Sequence, residues 1–200
     1  ARNLGQKKAL VIGTAGSIIF ALGLFLLMYL GDPTSMKLPV VSGIMGVFKG
    51  STWSLENWSL YGIIFMLLYI LMRGFMNVAG SIVIPMTADC ADYEVYRSGK
   101  YVPGLMGTLF SCVDKIISSL AATFVAVMFA AIGFKKELPV ESTPYSDGIF
   151  WVTMACFIGA PLIGWIINLI AMKFYPLTKE KMEEIQEEIA AIKAKAMAQK

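Results

Sequence analysis

Four stretches of this sequence, residues 9–30, 60–86, 104–133 and 149–172, hold only Arg73, Asp114 and Lys115 of the chain's 31 charged side chains. A bilayer core about 30 Å thick is crossed by about 20 apolar residues of helix. Each stretch is that long, so the sequence predicts an all-α polytopic membrane protein with four transmembrane helices. Residues 9–30 follow Arg2, Lys7 and Lys8, as the core of a signal peptide would. That run is too long for a leader, and three more follow it. Composition agrees: the chain is 57% hydrophobic and 16% charged, where soluble domains carry roughly 25% charge.

Several function classes drop out. The chain has no histidine, which removes His-based triads, HExxH zinc sites and imidazole relays. Cys90, Cys112 and Cys156 are odd in number and irregular in spacing, neither a disulfide framework nor a zinc site. A dispersed net charge of +3 is no footprint for nucleic acid. Asp89 and Asp92 have the i, i+3 spacing of a metal-holding pair in a membrane enzyme, but no further acidic pair accompanies them. No metal, no other cofactor and no enzymatic activity are expected. The sequence opens at Ala1 in mid-sequence character, so a piece of a longer protein is expected.

Between the first two spans, residues 31–59 contain a 38–50 piece too short to cross, with Trp53 and Trp58 suited to an interfacial loop. Residues 88–103 form a polar linker with Asp89, Asp92, Glu94, Arg97 and Lys100, in which Arg97 and Lys100 are expected to tie helix ends together through the aspartates. Residues 134–148 make a second short linker. Four spans put both termini on one side. Arg2, Lys7, Lys8, Arg97, Lys100, Lys173, Lys179 and Lys181 lie on that side, against Lys37, Lys49, Lys135 and Lys136 on the other. By the positive-inside rule the termini and the 88–103 linker are cytoplasmic. Residues 173–200 read as a cytoplasmic amphipathic tail helix, capped by Thr178, with Met182, Ile185, Ile189 and Ile192 on one face.

Charges inside the spans are the most informative residues, because each costs about 2.5–3.5 kcal/mol at mid-membrane by insertion scales. Asp114 and Lys115 fall about 16 Å along the third span, near its middle. Thr108, Ser111, Cys112, Asp114, Lys115, Ser118 and Ser119 share an arc of about 160°. Leu109, Phe110, Val113, Ile116, Ile117, Leu120 and Phe124 lie opposite. The wide hydroxyl-rich stripe favours a polar pathway over a structural ion pair, which remains the alternative. In the second span Gly62, Met66, Tyr69, Arg73, Asn77 and Gly80 align at helical spacing, with glycines for close approach and Arg73 able to pair with a carboxylate, either Asp114 or one outside this sequence. Ala160, Pro161, Gly164 and Asn168 form a small-residue packing stripe in the last span.

The run Pro85-Met86-Thr87-Ala88-Asp89-Cys90-Ala91-Asp92-Tyr93-Glu94 leads to Gly99-Lys100 and Gly104, then a lysine-bearing span ending Ile132-Gly133-Phe134. With the closing Phe174-Tyr175-Pro176-Leu177-Thr178, this resembles the glycoside–pentoside–hexuronide:cation symporters, the melibiose permease group of the major facilitator superfamily. The resemblance covers most of residues 1–190 and is strongest over 85–134. It implies that these are the last four of twelve transmembrane helices, in the plasma membrane. It implies alternating-access symport of a sugar or glycoside with a sodium ion or proton. The cation-binding carboxylates would lie in an amino-terminal half outside this sequence. It also implies that Lys115, Ser111 and Phe110 lie near the cation and sugar sites, and that Asp89, Asp92 and Tyr93, with Arg97, form a cytoplasmic conformational lock. Asp114, Arg73 and Asn77 complete the expected pathway. Glu94 directly follows Tyr93 where relatives place a glycine first, and Asp114 stands where many have an uncharged residue. A non-transporting membrane scaffold or sensor with the same fold is the alternative.

Overall fold

The computed structural model describes residues 5–31, 60–99, 103–135, 137–140 and 142–198. The expected interfacial loop at 31–59 and Lys100 lie outside the described residues, apart from Gly31. Among the described residues five helices follow one another: α1 Gln6–Leu30, α2 Leu60–Ser98, α3 Pro103–Ala131, α4 Asp147–Phe174 and α5 Lys179–Ala198. Among the described residues there is no strand. The first four are long and apolar enough to cross a membrane.

The centre of the assembly is the α1–α2 seam. Ala9, Leu10, Gly13, Thr14, Gly16, Ser17, Ala21 and Leu24 are buried at steps of three and four along one face of α1. Lipid tails are as apolar as leucine, so helices in a bilayer associate through close packing rather than escape from water. Small residues make that closeness possible. A β-carbon at Gly16 would enter the Phe75 ring, and one at Gly13 would sit 3.1 Å from the Ala79 side chain. Phe20 packs on Phe75 with ring centroids 5.5 Å apart. Helix α4 closes this core with Met154 and Ile158 against Leu24 and Met72. Asn168 of α4 donates to the Thr14 hydroxyl at 3.0 Å.

Two expected packing stripes divide. On α2, Gly62 is buried and Tyr69 packs on the core, but Arg73 and Asn77 are exposed and Gly80 has open space around it. The face turned to α1 carries Met72, Phe75, Ala79, Ile82 and Met86, one position away from Arg73. One position is about 100° of rotation. On α4, Asn168 joins the core contact while Ala160 and Gly164 face outward.

Helix α4 starts at Asp147 because the Ser146 hydroxyl caps it, accepting from the Ile149 amide. Pro161 does not break the helix. A single π turn, Ala155–Gly159, precedes it, with the Ala160 amide donating to the Ala155 carbonyl. Proline has no amide to give and its ring crowds the preceding turn, so a locally widened helix is a physical way around it.

The largest departure from expectation is at residues 88–98, read as linker. They are helix, a direct continuation of α2 through Pro85. At 1.5 Å per residue the 39 residues of α2 run about 58 Å, far beyond the hydrocarbon thickness. The charges suggested a loop, but among them Cys90, Tyr93 and Tyr96 recur at three-residue steps and pack against the apolar seam of α5. The helix stops at Gly99, which takes the left-handed conformation (φ +72°) and donates its amide to the Val95 carbonyl. At the chain's far end, Lys173 and Phe174 belong to α4, and α5 begins after Thr178, whose hydroxyl accepts from the Lys181 amide.

Candidate functional site

Helix α3 holds the mid-span candidates and is unlike its neighbours. None of its described residues is buried, and its contacts are with α2 and the start of α4. Ser111, Asp114, Lys115 and Phe110 are all exposed. Among the described residues Asp114 and Lys115 make no ion pair and no hydrogen bond. The hydroxyls around them turn inward on their own helix: Thr108 donates to the Gly104 carbonyl, Ser119 to that of Ile116 and Thr123 to that of Ser119. The expected Arg73–Asp114 pair is not formed. Arg73 instead points its guanidinium at the Met76 sulfur, 3.6 Å away, because its face of α2 turns away from the core. Asn77 contributes only its backbone carbonyl, which accepts from Ser81.

The second candidate lies at the end of the bundle where α1 begins, α2 overruns and α5 returns. This charged end is built on an apolar seam. Leu177, Ile185 and Ile189 are buried against Cys90, Tyr93, Val95, Tyr96 and Tyr175. Complete burial of a side chain like Ile185 contributes about 1.5–3 kcal/mol, enough to seat the tail. Polar contacts then fix its register. The Gln186 amide donates to Asp92 Oδ2 at 2.6 Å. The Lys181 ammonium lies 5.2 Å from the Tyr96 ring centroid, and Tyr96 stacks on Tyr93. Lys7 of α1 donates to the Tyr175 carbonyl at 2.6 Å.

These contacts surround a cavity of about 700 Å³ whose walls include Gln6, Pro85, Asp89, Met182 and Gln186. Asp89 lies at residue 30 of a helix longer than the bilayer, outside the hydrocarbon. Burial raises its carboxyl above the usual 3.8, the Gln6 amide beside it pulls it down, and the neighbouring Asp92 charge raises it again. Burial likewise pushes the Cys90 thiol up. The Tyr175 hydroxyl is driven far above its ordinary value by burial, with the Cys90 and Asp89 charges adding to the shift. That hydroxyl touches the Cys90 thiol, too weak a partner to satisfy it, and it is otherwise buried without a hydrogen bond.

Asp89, Asp92 and Tyr93 are therefore brought together, whereas Arg97 stands apart. It is exposed on the last turn of α2 with no ion pair among the described residues. Of the residues that engage the signature, Gln6 and Gln186 belong to no motif in the sequence, and Tyr175 stands out only within the closing Phe174–Thr178 motif. The only signal for Gln186 is its place beside Ile185 on the tail's apolar face. Among the described residues no three acidic or thiol groups gather as a metal site would require.

A family model described as MFS/sugar transport protein matches residues 1–179. The chain belongs to this family. Neither the curated proteins nor the solved structures yield a match. Membership makes the chain a membrane transporter protein, which agrees with four helices able to cross a bilayer. In a transporter, a mid-span charge pair on an open helix face is a different object from an orphaned charge in a stable bundle. Ionisable groups within a membrane face an interior or a watery cavity.

Proposed function

We propose that this chain forms the last four membrane helices of a secondary active transporter that carries a sugar or glycoside together with a sodium ion or proton. The remaining helices, with the carboxylates that hold the cation, belong to the amino-terminal part of the same protein. The protein sits in the plasma membrane with the charged end, and hence both ends of this chain, in the cytoplasm. Lys-rich flanks on that side support the orientation. Transport proceeds by alternating access around a midplane site.

One observation carries this reading: Asp114 and Lys115 stand at the middle of a span on its hydroxyl-bearing side, with no partner among the described residues. Lipid would make that arrangement costly, and a cavity that admits water, ion and sugar would not. In this picture Lys115 is an electrostatic reporter. A cation arriving on a nearby carboxylate displaces the ammonium and alters the cost of closing the bundle. Asp89, Asp92 and Tyr93 act at the cytoplasmic end as a lock that closes as the halves rock.

Cation-driven sugar uptake by the complete transporter carrying Lys115→Ala tests the proposal. The expected result is a loss of at least about tenfold, equivalent to about 1.4 kcal/mol, with altered cation dependence. Wild-type uptake and wild-type cation dependence would overturn it.

A further inference from the structure

Each of the two signature aspartates faces a glutamine, and each glutamine comes from a helix other than α2. Gln186 of α5 donates to Asp92 at 2.6 Å, and the Gln6 side chain of α1 lies against Asp89. Lysines are present around this end but are engaged elsewhere. Lys7 is held by the Tyr175 carbonyl, Lys179 lies 3.8 Å from Glu183, and Lys181 is bound to Glu184 at 2.7 Å and covers Tyr96. Among the described residues neither aspartate has an ion-pair partner.

The distinction between an amide and a cation matters physically. A carboxylate offers about four acceptor positions, and one amide N–H fills one of them. An amide therefore aims the group without cancelling its charge. A lysine in the same place would form a permanent charge-assisted bond and leave nothing for a later partner. Gln186 is well placed to aim, because its neighbours Ile185 and Ile189 are buried in the tail's seam on α2.

We propose that Gln186, with Gln6 in the same role for Asp89, is a positioning residue of the transporter: it holds the signature carboxylate oriented and uncompensated for a cationic side chain that arrives only when the cytoplasmic side closes. The inference rests on the reading of Asp89 and Asp92 as a conformational lock. It assigns the tail helix a part in the transport cycle, since the tail carries the aiming group.

The test compares Gln186→Lys, Gln186→Ala and Asp92→Asn in the complete transporter. Maleimide labelling of Cys90, half-buried beneath the tail, reports whether α5 stays docked. Gln186→Lys supplies the cation permanently. It is expected to lower the maximal uptake rate about tenfold while substrate KM stays within about twofold, with Cys90 still shielded. Gln186→Ala only loosens the aim and is expected to cost about twofold. In an Asp92→Asn background, Gln186→Lys should have no further effect. The proposal is overturned if Gln186→Lys transports like the wild type or no worse than Gln186→Ala. It is equally overturned if Gln186→Lys exposes Cys90, because the residue would then merely anchor the tail. If Asp92→Asn alone transports normally, the lock reading itself is wrong and the inference falls with it.

Discussion

Helices α1 and α3 are both long, mostly apolar spans, yet they stand in opposite relations to the rest of the chain. One face of α1 is sealed against α2 and α4 by small residues, with Leu24 and Ala21 wholly removed from the surface. Helix α3 seals nothing: Ile117 is 61% exposed on one side, and Asp114 and Lys115 are open on the other. Hydrophobicity alone therefore does not distinguish a helix packed into the core from one that stands open. The difference lies in what interrupts the apolar run. In α1 the interruptions are Gly13, Gly16 and Ser17, which shrink the surface so that backbones approach. In α3 they are charges and hydroxyls, which need a polar neighbour.

The contrast can be broken most directly by enlarging a glycine in each helix. Gly16→Leu must push a side chain into Phe75 and should destabilise the solubilised protein by about 3 kcal/mol. Gly107→Leu in α3, where nothing lies within 4 Å, should change it by less than about 0.5 kcal/mol. Thermal unfolding in detergent measures both, and equal losses would erase the distinction between the helices. A smaller effect sharpens it: Thr14→Val removes the hydroxyl that accepts from Asn168 and should cost about 1 kcal/mol in the same assay. The smallest concerns the charged end. Asp89 binds its proton more tightly in the folded chain than in the unfolded one, because burial raises its pKa above 3.8. The folded state thus gains relative stability as pH falls toward that raised pKa and loses it as pH rises through it. Hydrogen-exchange protection of the α5 amides, corrected for intrinsic rate, should increase modestly as the pH is lowered from neutral through the titration of Asp89. Asp89→Asn should flatten the trend.

Much of this was legible in the sequence, for reasons that are physical. The four spans announce themselves because charge is nearly excluded from hydrocarbon, and α1 ends at Leu30 as that rule anticipates. Asp114 and Lys115 stood out for the same reason. Residues 88–98 were misread because their charges mark solvent exposure, which loops and projecting helices share. The apolar spacing of Cys90, Tyr93 and Tyr96 has meaning only once α5 is known to lie on it. Arg73 does not meet Asp114 because the packed face of α2 is one position away, and no propensity reveals which stripe of so apolar a helix faces inward. Gln6 and Gln186 were invisible for a simpler reason. An uncharged amide on a helix surface carries no signature until its partner is seen.

The overrun of α2 has a mechanical corollary. Asp92 lies about 28 Å along the helix axis from Arg73, which is near the middle of the bilayer. A shaft of that reach works as a lever. Ten degrees of tilt about the level of Arg73 would swing the aspartate sideways by about 5 Å, roughly one turn of helix. A motion too slight to disturb the packing around Phe75 could therefore part or join two side chains at the tip.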